Sequence, residues 1–98
     1  MNVNLLQLIA DSIGTGEENA TASKTLQQIA GICERDLRKI IERLRRSGVV
    51  IISASDGGYY KPETAAELKR FIHKEQARAS SVLYTLKSAK QLLREWGG

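Results

Sequence analysis

Residues 21–62 read TASKTLQQIAGICERDLRKIIERLRRSGVVIISASDGGYYKP, and the order of residue types along this stretch decides the fold. Leu26, Ile29 and Ala30 give a short helix its inward face, the hydroxyls of Thr21 to Ser23 offer caps, and Gly31 supplies the backbone freedom that ends it. A tight corner at Gly31, Ile32 and Cys33 leads into a second helix. There Leu37, Ile40, Ile41 and Leu44 recur at the spacing of one buried stripe. At about 100° per residue, Arg35, Arg38, Lys39, Glu42 and Arg46 gather on the opposite side. Gly48 closes the helix, with Arg45 and Arg46 favouring the negative end of its dipole. Val49 to Ser53 is a β-branched run of strand type, and Tyr59 and Tyr60 begin a return strand. Between them, Ala54 to Gly58 carries the Asp-Gly-Gly chemistry of a hairpin turn. A lone hairpin is marginal in water, so this one must lie against the helices.

Upstream, Leu5, Leu6, Leu8, Ile9 and Ile13 predict an amphipathic helix that stops at Gly14. Gly14 to Asn19 is polar and reads as a surface loop. Downstream, Pro62 suits the first turn of a further helix, with Glu63 at its positive end. That helix is expected from Glu63 to Trp96, about 50 Å at roughly 1.5 Å per residue. Leu68, Ile72, Glu75, Ala79, Val82, Leu86, Ala89, Leu93 and Trp96 follow an unbroken alternation of four and three, which is a heptad seam. Phe71, Leu83 and Leu92 widen its apolar face. A helix of this length outruns any core that three short helices can build, so its seam calls for a partner.

The 98 residues suffice for one modest core. A single Cys and a single His exclude an internal disulfide and the Cys- and His-based structural zinc sites. No apolar run approaches bilayer length, and the first residues lack the basic and apolar regions of a secretion signal. The expectation is a cytoplasmic protein without a membrane partner. Fifteen basic and eleven acidic side chains leave a charge of +4, unevenly spread. Residues 1–32 hold one Lys and three acids, residues 33–46 six basic and three acidic groups, and residues 63–98 seven and four. Cations concentrated on one short helix and on the last segment suit a polyanionic partner. Exposed helix faces kept soluble by Lys and Arg would show the same counts.

With L-x-x-I-A-G-I, then E-R-D-L-R-K-I-I-x-x-L-R-x-x-G-V-x-I, then G-G-Y-Y-K-P in this order, the stretch resembles the winged helix-turn-helix family. That family includes the N-terminal domain of the biotin repressor and small DNA-binding proteins of bacterial and prophage genomes. The resemblance spans about residues 4 to 63. It implies a mainly α fold, with a three-helix core and a β-hairpin wing over residues 1–62, followed by the long C-terminal helix over 63–98. It also implies binding of double-stranded DNA by the third helix, and a role as a transcription regulator. Two positions depart from the family pattern. Cys33 stands where Ser or Thr commonly caps the third helix, and a thiol is a poor acceptor. The hairpin tip from Ser53 to Gly58 has no Arg or Lys, so Lys61 at the base is the cation the wing can offer.

Arg35, Arg38 and Lys39 lie early on the exposed side of the third helix and are the candidates for groove contacts. Arg can read guanine with two hydrogen bonds, and Lys39 and Arg46 suit phosphates. Ser23 and Lys24, opening the second helix, are candidates for the DNA backbone. The competing account is a solvated helix surface with Arg38–Glu42 and Lys39–Glu42 pairs. Cys33 is expected as a small buried cap. Leu68, Ile72, Val82, Leu86, Leu93 and Trp96 are the candidates for joining two copies into a homodimer. No nucleophile elbow, phosphate loop, metal cluster or paired carboxylates is legible, so neither an enzyme, a cofactor nor a small-molecule ligand is expected. Two other functions fit the same residues: a winged-helix module that binds proteins, and a phage-type replication or packaging factor.

Overall fold

The computed structural model describes residues 3–97. Among them the chain is mainly helical, with a small three-stranded sheet and a long C-terminal helix. In chain order the elements are α1 (Val3–Ser12), β1 (Gly14–Thr15), a 3-10 turn (Glu17–Asn19), α2 (Ser23–Ala30), α3 (Glu34–Arg46), β2 (Ile52–Ser53), β3 (Tyr59–Lys61) and α4 (Ala65–Glu95). The chain forms two units, one ending at Leu68 and one beginning at Lys69. This division falls inside α4, whose first turn is fastened to the rest of the first unit by Glu67.

The core of the first unit is built from Ile9 and Ile13, Leu26, the α3 stripe Leu37, Ile40, Ile41 and Leu44, and Ile51. The whole α3 stripe is buried, as its spacing predicts. Ile29, expected to face inward, is 44% exposed; the one buried side chain of the eight-residue α2 is Leu26.

Residues 14–19 are not a free loop. Gly14 and Thr15 pair in parallel with Tyr60 and Lys61, while Ile52 and Ser53 pair antiparallel with Tyr60 and Tyr59, so β3 lies in the middle of the sheet. Beside β1, Thr21 and Tyr59 exchange both backbone hydrogen bonds, at 2.8 and 2.9 Å. The strand expected from Val49 to Ser53 narrows to Ile52 and Ser53, because Val49 is taken up in closing α3. Its N–H bonds back to the Leu44 carbonyl at 3.0 Å and that of Gly48 to Arg45 at 3.1 Å, with Gly48 at φ 107°. These paired bonds form a Schellman stop.

The expected side-chain caps of α2 are also corrected. Ala22 occupies the cap position and receives no side-chain bond. Thr21 is committed elsewhere: its Oγ1 donates to the Ser12 carbonyl at 3.1 Å and accepts the Gly14 N–H at 3.0 Å, which pins the exit of α1 to β1. The helix expected from Glu63 starts at Ala65, so Pro62 lies outside its first turn. The start is set instead by a capping box: the Glu67 N–H donates to Thr64 Oγ1 at 3.2 Å, and Glu67 Oε1 accepts the Thr64 N–H at 3.3 Å.

Candidate nucleic-acid interface

α3 presents the surface at issue because its other side is fully used. With four apolar residues buried at helical spacing, every cation of the helix is turned toward solvent. Arg35, Arg38, Lys39 and Arg46, the candidates for groove and phosphate contacts, are all exposed. The intrahelical pairs differ from those expected. Arg38 reaches back to Glu34 at 2.9 Å, and Glu42 is taken by Arg46 at 2.8 Å. Both pairs are spaced four apart and their side chains are more than half exposed, so each is worth only about 0.3–0.5 kcal/mol and is readily exchanged for a phosphate. Among the described residues no acidic group pairs with Arg35, Lys39 or Arg43.

Lys39, Arg43 and Arg46 line a shallow open depression together with Glu42. Arg43 is absent from the site residues expected from sequence. Its position four after Lys39 and three before Arg46 is the signal that would have included it. Arg45 serves the fold instead. Its Nε donates to the Ile51 carbonyl at 2.9 Å and its guanidinium to Ser53 Oγ at 3.2 Å, tying the end of α3 to β2.

The remaining candidates lie on other elements. Ser23 opens α2, with its Oγ accepting a bond from Gln27 Nε2 at 3.1 Å, and Lys24 follows it, exposed. Lys61 ends β3, half-buried, and its carbonyl accepts the Gly16 N–H at 2.8 Å. The turn between β2 and β3 is held locally, Asp56 Oδ1 accepting the Gly58 N–H at 3.1 Å. Cys33 is exposed, not buried, and gives α3 no side-chain cap. The corner before it is formed by Gly31 at φ 64° and by the Ile32 N–H bonding to the Gln27 carbonyl at 3.0 Å.

In the second unit, the seam residues are open to solvent. Ile72 is 46%, Val82 54%, Leu86 47%, Leu93 54% and Trp96 76% exposed. Leu68 differs, being half-buried within the first unit. No group of His, Cys, Asp and Glu side chains among the described residues could hold a metal ion, and none of the described helices is long and apolar enough to cross a membrane. No family model, curated protein or solved structure matches this chain.

Proposed function

We propose that this protein is a winged helix-turn-helix DNA-binding protein, acting as a transcription regulator on duplex DNA through α3. The observation that carries the reading is the division of α3 into a wholly buried apolar side and an exposed cationic side. α2, the Gly31 corner and α3 supply the helix pair, and β2 and β3 the hairpin beside it. Arg35, Lys39 and Arg43 are open to a phosphate or a base edge, and Arg38 and Arg46 become so by giving up weak surface pairs. The exposed seam of α4 supports a homodimer, whose two-fold symmetry would match a two-fold DNA site. The reading is one of binding, not catalysis, in a cytoplasmic setting.

A second reading, a winged-helix scaffold that binds other proteins, draws on the hairpin turn, which carries no Lys or Arg from Ser53 to Gly58. A gel-shift of wild type and an Arg38→Ala, Lys39→Ala variant at two salt concentrations separates them. DNA binding predicts weaker affinity for the variant. It also predicts that the slope of log K against log salt becomes shallower by about 0.9 for each phosphate the variant no longer neutralises. Unchanged affinity and slope in the variant would remove α3 from the interface. No binding by wild type would leave the scaffold reading.

A further inference from the structure

From Lys69 onward the chain carries seven Lys or Arg and two Glu, and one of those carboxylates sits in the seam itself. Ile72, Ala79, Leu86 and Leu93 take one seam position of successive heptads, and Glu75, Val82, Ala89 and Trp96 take the other. We infer that a second copy of this chain covers the seam with its helix running antiparallel, about a two-fold axis at the level of Tyr84. This deepens the homodimer reading above and rests on it.

Orientation follows from Glu75. A parallel, in-register pair sets every seam residue against itself, so two Glu75 carboxylates would face each other between two helices. Arg78, the cation beside Glu75, lies at 4.0 Å and is 79% exposed, too loose to neutralise both. The antiparallel arrangement separates the two carboxylates. Val82 then meets Leu86 of the partner subunit, Ala79 meets Ala89 of the partner subunit, Ile72 meets Trp96 of the partner subunit, and Glu75 meets Leu93 of the partner subunit. All eight seam positions from Ile72 to Trp96 find a counterpart under one axis, and none is left over.

The flanking residues accept the same axis without like charges meeting. Lys90 falls opposite Gln76 of the partner subunit, and Arg78 opposite Leu92 of the partner subunit. Leu83, 66% exposed on the single chain, meets its own copy. At roughly 100 Å² for each large apolar side chain at or beside the seam, each helix offers on the order of 700 Å², close to the ~800 Å² per partner of a stable complex. A lipid surface fits less well, since it would have to accept Glu75 among its own anionic headgroups.

The test uses the full chain with Cys33→Ser, so that added thiols are the only ones. Chains carrying Ala79→Cys are mixed with chains carrying Ala89→Cys, refolded together and oxidised. The mixed disulfide is expected to exceed either homodisulfide several-fold. Homodisulfides in excess, with a dimer in sedimentation, would overturn the antiparallel arrangement and leave the homodimer standing. A monomer in sedimentation would overturn both, and binding of that monomer to phosphatidylglycerol vesicles would assign the face to lipid. DNA binding is not read by any arm.

Discussion

The carboxylate of Glu67 accepts the backbone N–H of Glu17 at 2.7 Å, joining residues fifty positions apart. Its other oxygen accepts the N–H groups of Glu63 at 2.8 Å and Thr64 at 3.3 Å. One buried side chain therefore closes the start of α4 and holds the 3-10 turn that follows β1. Glu67→Ala leaves these donors without their acceptor, and a buried unsatisfied group costs about 1–3 kcal/mol. The stability measured by urea unfolding should fall by that amount, and Glu67→Gln, which keeps one acceptor oxygen, should fall between. An unchanged midpoint in the Ala variant would mean that water serves these amides equally well.

Thr21 does for the other end of β1 what Glu67 does for its exit. Its hydroxyl joins the Ser12 carbonyl to the Gly14 N–H, while its backbone pairs with Tyr59. Thr21→Val keeps the shape and the strand preference but removes both side-chain bonds. A loss of about 1–3 kcal/mol is expected, because both backbone groups are part-buried. Thr21→Ser, which restores the hydroxyl, should recover most of it. Equal stability of the Val and Ser variants would assign Thr21 no more than a packing role.

Two glycines are required by crowding rather than by dihedral angle. A β carbon at Gly58 would stand 2.7 Å from the Thr21 carbonyl oxygen, and one at Gly14 would collide with the Asn19 carbonyl oxygen. Neither obstacle is a flexible side chain. Gly58→Ala should cost about 1–3 kcal/mol, the usual range for an overpacked site, and should loosen amide protection at Tyr59. At Gly31 and Gly48 nothing lies within 4 Å of the added carbon, so substitution there should cost about 1–2 kcal/mol through positive φ alone and leave amide protection at Tyr59 unchanged. Equal loosening of the Tyr59 amide in the Gly58→Ala and Gly48→Ala variants would contradict the distinction.

What can be read from the sequence is what local periodicity encodes. The α3 stripe of Leu37, Ile40, Ile41 and Leu44 is legible because four apolar residues at helical spacing have one way to be buried, and the solvent side of the cations follows from it. β1 is not legible. It is two residues long and exists only because Tyr60 and Lys61, far along the chain, offer it a partner. Pro62 draws the expected start of α4 too early although Thr64-Ala65-Ala66-Glu67 carries the capping-box pattern, since a proline is the louder signal. Among the α3 cations, exposure can be read and pairing cannot. Glu42 has arginines four positions away on either side, and spacing alone does not say that it takes Arg46 and leaves Arg38 to Glu34.

Under the proposed function, self-pairing and DNA binding should be coupled, and one side chain tests it. A truncation after residue 64 would also remove Glu67 and so confuse loss of the partner with damage to the first unit. Val82→Asp avoids this. Val82 is 54% exposed and lies in the second unit, so folding of the first unit should be unaffected. In the inferred pair Val82 lies next to the axis, against Leu86 of the partner subunit, so a carboxylate there, unlike Glu75 near the end of the seam, should turn the proposed dimer into a monomer in sedimentation. Under the proposed function, the variant should then bind a single half-site as wild type does. On a probe with two half-sites it should lose the gain that linked binding supplies, about 10²- to 10⁴-fold. Equal losses on both probes would show that α4 contributes to DNA contact directly. No loss on either, from a protein that had become monomeric, would separate pairing from DNA recognition.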